Sequence, residues 1–325
     1  MTDITADLQA LFSPERVKEQ EPMTMHTHFR VGGPARWFVE AKKNEEIEAV
    51  LDLARQKKVP VFVLGGGSNV LVSDDGYHGL VVKLANRQYK IEGTTVTAEA
   101  GVLSAFLARK TAEAGLAGLE WAISLPGTIG GAVRGNAGCF GGEMKDTVTK
   151  VYVYRNGGVI ELSHDQMQFD YRHSVIKHSD DIILSVVCEL KEGDSEQLTA
   201  TLVDIVDQRK SSQPLYAGSA GCMFKNYEIS SNDDLQRLEQ EVEIPASMLF
   251  RKKISTGWLI HQMGLRGTQI GDAKISEEHG NFIVNMGKAT ASDIIQLVSL
   301  VKTRARDQYG IHLHEEIQYV GFGGW

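Results

Sequence analysis

Four polar side chains, spread along the chain, have the chemistry of catalytic groups: Arg172, Cys222, Gln262 and Glu316. An arginine can stabilise a developing anion with its permanently charged planar fork, and a thiol or carboxylic acid can deliver a proton. Each also has an ordinary structural alternative. Arg172 could pair with Asp170, Cys222 could be a buried structural thiol, and a solvated strand edge could hold the glutamate. Alone, these residues indicate proton and charge chemistry but no particular reaction.

The first of two glycine-rich stretches is Gly65-Gly66-Gly67-Ser68-Asn69. An apolar run from Val59 precedes it, which predicts that a buried strand enters it, and a strand-like apolar run follows it. Glycine lets the backbone approach a ligand closely, and successive N–H groups in such a turn form an anion site suited to a pyrophosphate. The dinucleotide fingerprint GxGxxG requires a helix after the glycines, so that motif does not apply. A tight turn between two strands is the alternative interpretation.

The second glycine-rich stretch covers residues 124–138. It includes Pro126, Gly127, Gly130, Gly131 and Ala132. Its five glycines between Gly127 and Gly138 are more than a simple connector needs. We interpret it as a second wall of backbone donors against one elongated ligand, with a packed Ω-loop as the alternative.

Hydrophobic periodicity indicates the elements that would position these stretches. An apolar stripe predicts an amphipathic helix over residues 44–58, with Asn44 as its N-cap. Hairpins are predicted at Glu92-Gly93 and Asn156-Gly157. The remaining elements are a short helix and a polar lead-in over 1–22, helices over 103–114, 197–209, 235–242, 257–263 and 290–309, and strands over 59–64, 79–84, 150–154, 159–163, 181–190, 281–285 and 311–321.

Composition restricts the class of protein. The 325 residues are 42% hydrophobic and 23% charged, as in ordinary globular proteins of two or three domains. A net charge of −8 argues against nucleic acid as a partner, and the absence of an apolar run of about 18 residues argues against a membrane span. Three cysteines and a polar N-terminal segment without a signal-peptide core predict a cytoplasmic protein. We expect no metal, although two His-x-His pairs, at residues 26–28 and 312–314, could each align two imidazoles.

The order and spacing of eight short motifs resemble one family of flavoenzymes. The motifs are residues 27–35, 64–72, 124–138, Tyr171-Arg172, 221–226, 257–262, 279–285 and 313–317. Together they are similar to the UDP-N-acetylenolpyruvoylglucosamine reductase family, also called UDP-N-acetylmuramate dehydrogenases. Only about fifty residues separate Arg172 from Cys222, and this spacing resembles the shorter of the family's forms.

The resemblance implies the fold class and the domain organisation. The implied fold is α+β, with a two-lobed FAD-binding domain of the vanillyl-alcohol-oxidase/PCMH type and a C-terminal α+β substrate domain. Residues 1–84 would form the first FAD-binding lobe, to which residues 311–325 return. Residues 85–210 would form the second lobe, and residues 211–310 the substrate-binding domain.

The resemblance also implies a reaction in peptidoglycan synthesis. NADPH would reduce FAD, and UDP-N-acetylglucosamine enolpyruvate would then be reduced to UDP-N-acetylmuramate. In that scheme Arg172 stabilises an enolate, Glu316 polarises the substrate carboxylate and Cys222 protonates the carbanion. The implied FAD-binding residues are Arg30, Gly65, Gly66, Gly67, Ser68, Asn69, Pro126, Gly127, Gly130, Gly131 and Ala132. The implied substrate-binding residues are Tyr171, Arg209, Lys225, Asn226, Lys253 and Gln262; the two lysines could equally lie on the surface.

Three residues depart from the family's usual pattern. Cys222 stands where serine is common, and Tyr227 and Glu315 replace two usual prolines. Glu315 also adds a negative charge beside Glu316. We expect a small-molecule nucleotide sugar and NADPH as the partners, and a monomer as the oligomeric state.

Two other functions remain open from the sequence. An oxidase of the same superfamily would pass electrons to molecular oxygen, and Cys139 is the one thiol near the glycine-rich stretches that could attach its flavin covalently. A catalytically silent flavin or nucleotide-sugar binding protein would be expected to lack Arg172, Cys222 or Glu316. All three are present, which favours the enzyme.

Overall fold

The computed structural model describes residues 3–229 and 231–323. The helices in these residues are α1 (Thr5–Phe12), α2 (Asn44–Lys57), α3 (Ser104–Glu113), α4 (Ile129–Arg134), α5 (Ser195–Ser212), α6 (Asn232–Glu241), α7 (Ala246–Phe250), α8 (Thr256–Gln262) and α9 (Ala291–Tyr309). The strands are β1 (Val17–Pro22), β2 (Pro34–Ala41), β3 (Val61–Leu64), β4 (Val70–Val72), β5 (Tyr77–Leu84), β6 (Tyr89–Glu92), β7 (Thr95–Glu99), β8 (Leu116–Ala117), β9 (Gly138–Cys139), β10 (Gly142–Glu143), β11 (Val148–Arg155), β12 (Gly158–Ser163), β13 (Ile182–Glu189), β14 (Lys191–Glu192), β15 (Tyr227–Glu228), β16 (Lys253–Ile254), β17 (Gln269–Ile270), β18 (Ala273–Ile275), β19 (Ile283–Asn285) and β20 (Gln318–Val320).

The chain forms two compact units that alternate along the sequence. Unit 1 consists of Met1–Glu21, Ala35–Gly67 and Tyr77–Ser211, and unit 2 of Pro22–Pro34, Ser68–Gly76 and Ser212–Trp325. The first glycine-rich stretch is therefore divided, with its glycines in unit 1 and Ser68 and Asn69 in unit 2. The further division of the flavin-binding part into two lobes stays a prediction.

Unit 1 contains two sheets that share one hydrophobic core. The first has the order β1-β2-β5-β3, in which β5 pairs in parallel with β2 and β3. The second has the order β12-β11-β13-β7-β6 and is antiparallel throughout. Side chains from both sheets, such as Leu80 and Val151, belong to the same buried cluster. Such a continuous core is the main stabilising term of a domain of this size.

The predicted helix at residue 44 and the predicted hairpins are confirmed, with one correction. Helix α2 buries its expected stripe, but its N-cap is Lys43 and Asn44 is its first residue. The Asn44 side chain accepts a hydrogen bond from Asn86 Nδ2 (2.8 Å) instead of capping the helix. Asn156 and Gly157 both have positive φ, as a primed turn between β11 and β12 requires.

Unit 2 is built around α9, the helix with the strongest sequence pattern. Its apolar stripe is buried and Gly310 ends it in the left-handed region, as the sequence pattern indicated. Thr290 and Asp293 form a capping box at its start. Asp74 accepts hydrogen bonds from the N–H groups of Ala291 (2.8 Å) and Ser292 (3.0 Å). A carboxylate at this end also matches the helix dipole.

The predicted C-terminal strand over residues 311–321 is wrong over most of its length. Only β20 is a strand, and it pairs in parallel with β4. Residues 314–316 are held instead by one isolated bridge between Phe224 and Glu315. The alternation of apolar and polar residues correctly indicated an extended chain, but a ladder also needs an equally long partner. The lead-in within residues 1–22 likewise contains a strand, β1, which its mainly polar composition did not indicate.

Candidate active site

The two glycine-rich stretches contact each other within unit 1. A Cβ at residue 66 would lie 2.5 Å from the Cα of Gly127, and a Cβ at residue 65 would lie 2.7 Å from Thr128 Oγ1. Real Cβ atoms do not approach other atoms this closely. Residue 66 therefore requires glycine, because the atoms it would meet are backbone, whereas a Cβ at residue 65 would force the Thr128 side chain to move. Gly67 follows with a positive φ of 69°. The stretches therefore form one backbone-lined feature, which a simple turn between two strands does not explain.

The buried hydroxyl of Thr128, beside these glycines, is available as a hydrogen-bond donor. Thr128 is 5% exposed, and among the described residues its Oγ1 has no hydrogen-bond partner. Buried polar atoms are nearly always paired in native proteins, so an orphaned hydroxyl indicates a missing polar ligand. A hydroxyl and backbone N–H groups are suitable donors to phosphate oxygens. This donor set fits the pyrophosphate of FAD.

The other candidate FAD-binding residues are divided between the two units. In unit 1, Gly130 packs against Ala100, where a Cβ would meet the alanine Cβ at 2.7 Å, and Gly131 and Ala132 follow it in α4. In unit 2, Arg30 has a positive φ of 55°. Pro126 and Ser68 belong to units 1 and 2, respectively.

In unit 2, the structure brings Asn69 together with Glu316. Asn69 Nδ2 donates to the carbonyl oxygen of Glu316 (3.2 Å), and the N–H of Gln318 donates to the carbonyl oxygen of Asn69 (3.0 Å). These bonds continue the pairing of β4 with β20. A residue from the glycine-rich stretch is therefore fixed against the segment that carries the candidate catalytic glutamate.

Cys222 and Glu316 lie on neighbouring backbone segments of unit 2. The N–H of Glu316 donates to the carbonyl oxygen of Met223 (2.8 Å), and the N–H of Lys225 donates to the carbonyl oxygen of His314 (2.9 Å). On its other side Cys222 forms an isolated antiparallel bridge with Phe282. The two candidate catalytic groups, 94 positions apart in the sequence, thus belong to one hydrogen-bonded cluster.

Lys225 and Asn226 are linked to the start of α8. The carbonyl oxygen of Lys225 accepts from Thr256 Oγ1 (2.6 Å), and Asn226 Oδ1 accepts from the N–H of Thr256 (3.2 Å). Gln262 is exposed at the last position of the same helix. Lys253 forms an ion pair with Glu228 (2.9 Å) on the short β15–β16 pair, which is also what a surface lysine would do.

Arg172 belongs to unit 1 and has an unusual backbone conformation. Its φ is 55°, a region that non-glycine residues rarely occupy and that is enriched at functional sites. Its Nη2 donates to the carbonyl oxygen of Gly138 (2.9 Å), and its guanidinium carbon lies 5.3 Å from the centre of the Tyr171 ring. Lys177 Nζ donates to the carbonyl oxygen of Arg172 (2.8 Å). The strained loop is thus fixed at both its backbone and its side chain.

In unit 1, the positive charges of two guanidinium groups affect the pKa of the same thiol, that of Cys139. Burial raises the pKa of Cys139, and the charges of Arg209 and Arg172 partly oppose that rise. Arg209 Nη1 also donates to Ser124 Oγ (3.2 Å) at the start of the second glycine-rich stretch. The predicted substrate-binding arginine and the predicted catalytic arginine therefore share one local environment, which their separation in the sequence did not indicate.

The candidate residues fall into two groups according to the unit that holds them. Tyr171, Arg172 and Arg209 belong to unit 1, and the structure gathers them near Cys139. Cys222, Lys225, Asn226, Lys253, Gln262 and Glu316 belong to unit 2. Sequence reasoning missed Thr128, although it lies within the second glycine-rich stretch; its position directly after Gly127 was the available signal.

Two features are absent from the part of the chain that the structure describes. Within residues 3–229 and 231–323, no helix is long and apolar enough to cross a membrane. Over the same ranges, no group of three or more His, Cys, Asp or Glu side chains could hold a metal ion.

Two known protein families match this chain and define the class of protein to which it belongs. An FAD binding domain family matches residues 35–163, and the family of UDP-N-acetylenolpyruvoylglucosamine reductase C-terminal domains matches residues 213–320. The chain is therefore a flavin-dependent oxidoreductase with an α+β fold that includes an FAD-binding domain. It belongs to the UDP-N-acetylenolpyruvoylglucosamine reductase family, which confirms the resemblance found in the sequence.

Three relatives illustrate the extent of the similarity. The reductase of Clostridioides difficile is 37% identical over 98% of each chain. That of Syntrophomonas wolfei is 36% identical over 95% of this chain and 96% of its own. The crystal structure of the reductase from Thermus caldophilus has a TM-score of 0.74 and 34% identity, and the alignment covers 94% of this chain and 99% of that one.

We expect the wild-type protein to be yellow and Gly66→Val to be largely colourless. A branched side chain at residue 66 must displace Gly127, since even a Cβ would lie 2.5 Å from its Cα. The displacement would separate the two stretches that fit the pyrophosphate. The measurement is the ratio of FAD to protein after purification, with the released flavin identified by chromatography as FAD or FMN.

One variant controls for misfolding, and a second tests the same site with a smaller change. Gly158→Val should keep its flavin, because a Cβ at residue 158 meets nothing within 4 Å. Thr128→Val removes the orphaned hydroxyl while keeping the shape of the side chain, and should weaken FAD binding by about 10–100-fold. Full FAD content in Gly66→Val, or unchanged affinity in Thr128→Val, would contradict the assignment of this site.

Proposed function

We propose that the protein catalyses the NADPH-dependent, FAD-mediated reduction of UDP-N-acetylglucosamine enolpyruvate to UDP-N-acetylmuramate, a step of peptidoglycan precursor synthesis. The names of its relatives support this substrate. The observation that carries the proposal is the hydrogen bond between Glu316 and Met223, which joins the segments of the candidate acid and the candidate proton donor. Asn69, from the glycine-rich stretch, is bonded to the same glutamate. The nucleotide-sugar substrate and NADPH place the reaction in the cytoplasm, and a monomer is sufficient for it.

FAD, when bound, would supply the hydride chemistry, by which a hydride from NADPH reaches the terminal vinyl carbon of the enolpyruvyl group. Negative charge then develops as an enolate on the substrate carboxylate and the carbon beside it. Arg172 stabilises that charge with its planar, permanently charged fork. The bond from Arg172 Nη2 to the Gly138 carbonyl oxygen holds the guanidinium in place before the charge appears. A prepositioned group is more effective because it needs no reorganisation during the reaction.

Cys222 completes the reaction by donating a proton to the carbon beside the carboxylate. Glu316 polarises that carboxylate from the neighbouring segment, and the bond between Glu316 N–H and Met223 O fixes the spacing of the two segments. Positioned proton transfer contributes roughly 10²–10⁴-fold to a rate. The proton donated by Cys222 is replaced from solvent after turnover.

Six residues serve to bind the nucleotide sugar. They are Tyr171, Arg209, Lys225, Asn226, Lys253 and Gln262. Arg209 and the lysines supply positive charge for the diphosphate. The bonds of Lys225 and Asn226 to Thr256 keep that segment fixed against α8, whose last residue is Gln262.

The oxidase alternative is less well supported because of the environment of Cys139. Covalent attachment of a flavin would use the thiolate, which is the reactive form of cysteine. Burial raises the pKa of Cys139, so the thiol keeps its proton at neutral pH. A raised pKa therefore disfavours the attachment chemistry that this alternative would use.

The deciding experiment separates the two half-reactions by stopped-flow absorbance under anaerobic conditions. NADPH should bleach the bound flavin, and UDP-N-acetylglucosamine enolpyruvate should then restore its colour stoichiometrically. UDP-N-acetylglucosamine, which lacks the enolpyruvyl group, is the matched control and should not restore it. The NADPH-reduced protein is then mixed with air-saturated buffer in a parallel run. If molecular oxygen reoxidises the flavin at least as fast as the enolpyruvyl substrate does, the oxidase is favoured and the proposal is overturned.

A further inference from the structure

Asn281 is a buried residue whose amide holds the segment that carries Cys222. It is 2% exposed. Its Oδ1 accepts from the N–H of Phe224 (3.0 Å), and its Nδ2 donates to the carbonyl oxygen of the same residue (2.8 Å). Its own carbonyl oxygen accepts from the N–H of Met223 (2.8 Å). Three hydrogen bonds from one residue thus fix the two positions that follow Cys222.

The side chain of Asn281 takes the place of a neighbouring strand. An amide group offers one acceptor and two donors, as a peptide unit offers an acceptor and a donor. Here it pairs with both polar groups of Phe224, as the next residue of a ladder would. The opposite edge of the same segment bonds to residues 314–316, through Glu316 to Met223 O and Lys225 to His314 O. Segment 222–225 is therefore bound on both edges.

The orientation of Asn281 is itself determined by its neighbours. Its N–H donates to His279 Nδ1 (3.3 Å). Burial lowers the pKa of His279, so the ring is neutral at neutral pH and can accept this bond at Nδ1. The imidazole packs on Gly257, where a Cβ would meet its Cε1 at 2.9 Å. The backbone of Asn281 is thus held on a packed histidine, which fixes the point from which its side-chain amide reaches Phe224, as the support of a functional site requires.

We propose that Asn281 is a positioning residue for proton delivery: by clamping Phe224 and Met223 it sets the position of Cys222 relative to Glu316. The inference rests on the proposed function, in which Cys222 is the proton donor. A donor displaced by about 1 Å can lose about 10²-fold in rate. Asn281 has no role in the reaction with NADPH, so its loss should affect only the half-reaction that consumes the enolpyruvyl substrate.

The test compares two nearly isosteric substitutions, each assayed by half-reaction with FAD in excess. Asn281→Leu removes all polar groups from the side chain and should slow reoxidation by the enolpyruvyl substrate by about 10²-fold at every pH. In Asn281→Asp, the ionised carboxylate repels the Phe224 carbonyl oxygen, but the protonated form can donate to it and accept from the Phe224 N–H. Burial raises the pKa of such a carboxyl, so the reoxidation rate should recover towards wild type as the pH falls.

Asn285→Asp is the matched control. Asn285 is also buried, lies in the same unit and donates through Nδ2 to a backbone carbonyl oxygen, that of Phe29 (2.9 Å). Its Oδ1 accepts from the N–H groups of Gly287 and Ala289. This variant makes the same chemical change away from segment 222–225. It should leave the solvent isotope effect on reoxidation at the wild-type value, whereas Asn281→Leu should raise it as proton delivery becomes rate-limiting.

A readout without substrate completes the test. Iodoacetamide labelling followed by mass spectrometry should show a severalfold change in the alkylation rate of Cys222 in Asn281→Leu, and no change at Cys139. The inference is overturned if Asn281→Leu reoxidises like wild type, or if it loses both half-reactions equally, as a purely structural residue would. Failure of the wild-type protein to reoxidise with the enolpyruvyl substrate would instead overturn the proposed function.

Discussion

Cys222→Ala is expected to keep its flavin and its reaction with NADPH but to reoxidise with the enolpyruvyl substrate about 10²–10⁴-fold more slowly. The reason is that alanine has no proton to give, while the surrounding backbone can stay as it is. The bonds that hold this segment, from Met223 to Glu316 and from Met223 and Phe224 to Asn281, do not involve the thiol. The measurement is single-turnover stopped-flow absorbance of each half-reaction.

Cys222→Ser is the control for this prediction, since a hydroxyl can deliver a proton from the same position. It should retain substantial activity. In heavy water, the wild-type product should carry solvent deuterium on the carbon beside the carboxylate, and the hydride from NADPH on the terminal carbon. A wild-type rate in Cys222→Ala would remove the thiol from the mechanism and indicate a water molecule or another side chain as donor.

Arg172→Lys is expected to lower the maximum rate with the enolpyruvyl substrate by about 10²-fold and to change its KM little. Lysine keeps the charge but loses the planar fork that can hold a carboxylate with two parallel bonds. It also loses the geometry that places Arg172 Nη2 on the Gly138 carbonyl oxygen. Because the enolate exists only after hydride transfer, the effect belongs to kcat and not to binding.

Arg209→Lys is the matched control for this charge-preserving change. Arg209 lies in the same unit, and its charge likewise opposes the rise in the pKa of Cys139. We nevertheless assign it to substrate binding. Its replacement should raise KM and leave kcat nearly unchanged. Equal losses of Arg172→Lys in the NADPH and enolpyruvyl half-reactions would instead identify Arg172 as a structural residue of its strained loop.

Local sequence signals predicted the elements around the site well, because each depends on a few neighbouring residues. The turn at Asn156-Gly157 needs two positive φ values, and the end of α9 needs a residue such as Gly310 that adopts the left-handed conformation. The strands before and after the first glycine-rich stretch followed from their apolar composition, and the structure has them as β3 and β4. Such features require no knowledge of distant contacts.

The arrangement of the site could not be predicted from the sequence, because long-range hydrogen bonds determine it. Nothing near Asn69 indicates that its side chain reaches Glu316, and nothing near Phe224 indicates that Asn281 binds both of its backbone groups. The predicted strand over residues 311–321 was wrong for the same reason. Around Glu315 its partner is the short segment 222–225, whose opposite edge is bound by the side chain of Asn281. The roles of the individual site residues stay predictions until the variants are measured.

The parallel pairing of β4 with β20 has a consequence for synthesis of the protein on the ribosome. Asn69, at the start of this pairing, and Glu316 are separated by 247 residues. At roughly 5–20 residues per second, β4 leaves the ribosome roughly 10–50 s before its partner exists. All three of its residues, Val70, Leu71 and Val72, are buried in the finished protein. During that interval the edge of β4 that pairs with β20 has no strand to bond, and unpaired apolar edges favour aggregation of a nascent chain.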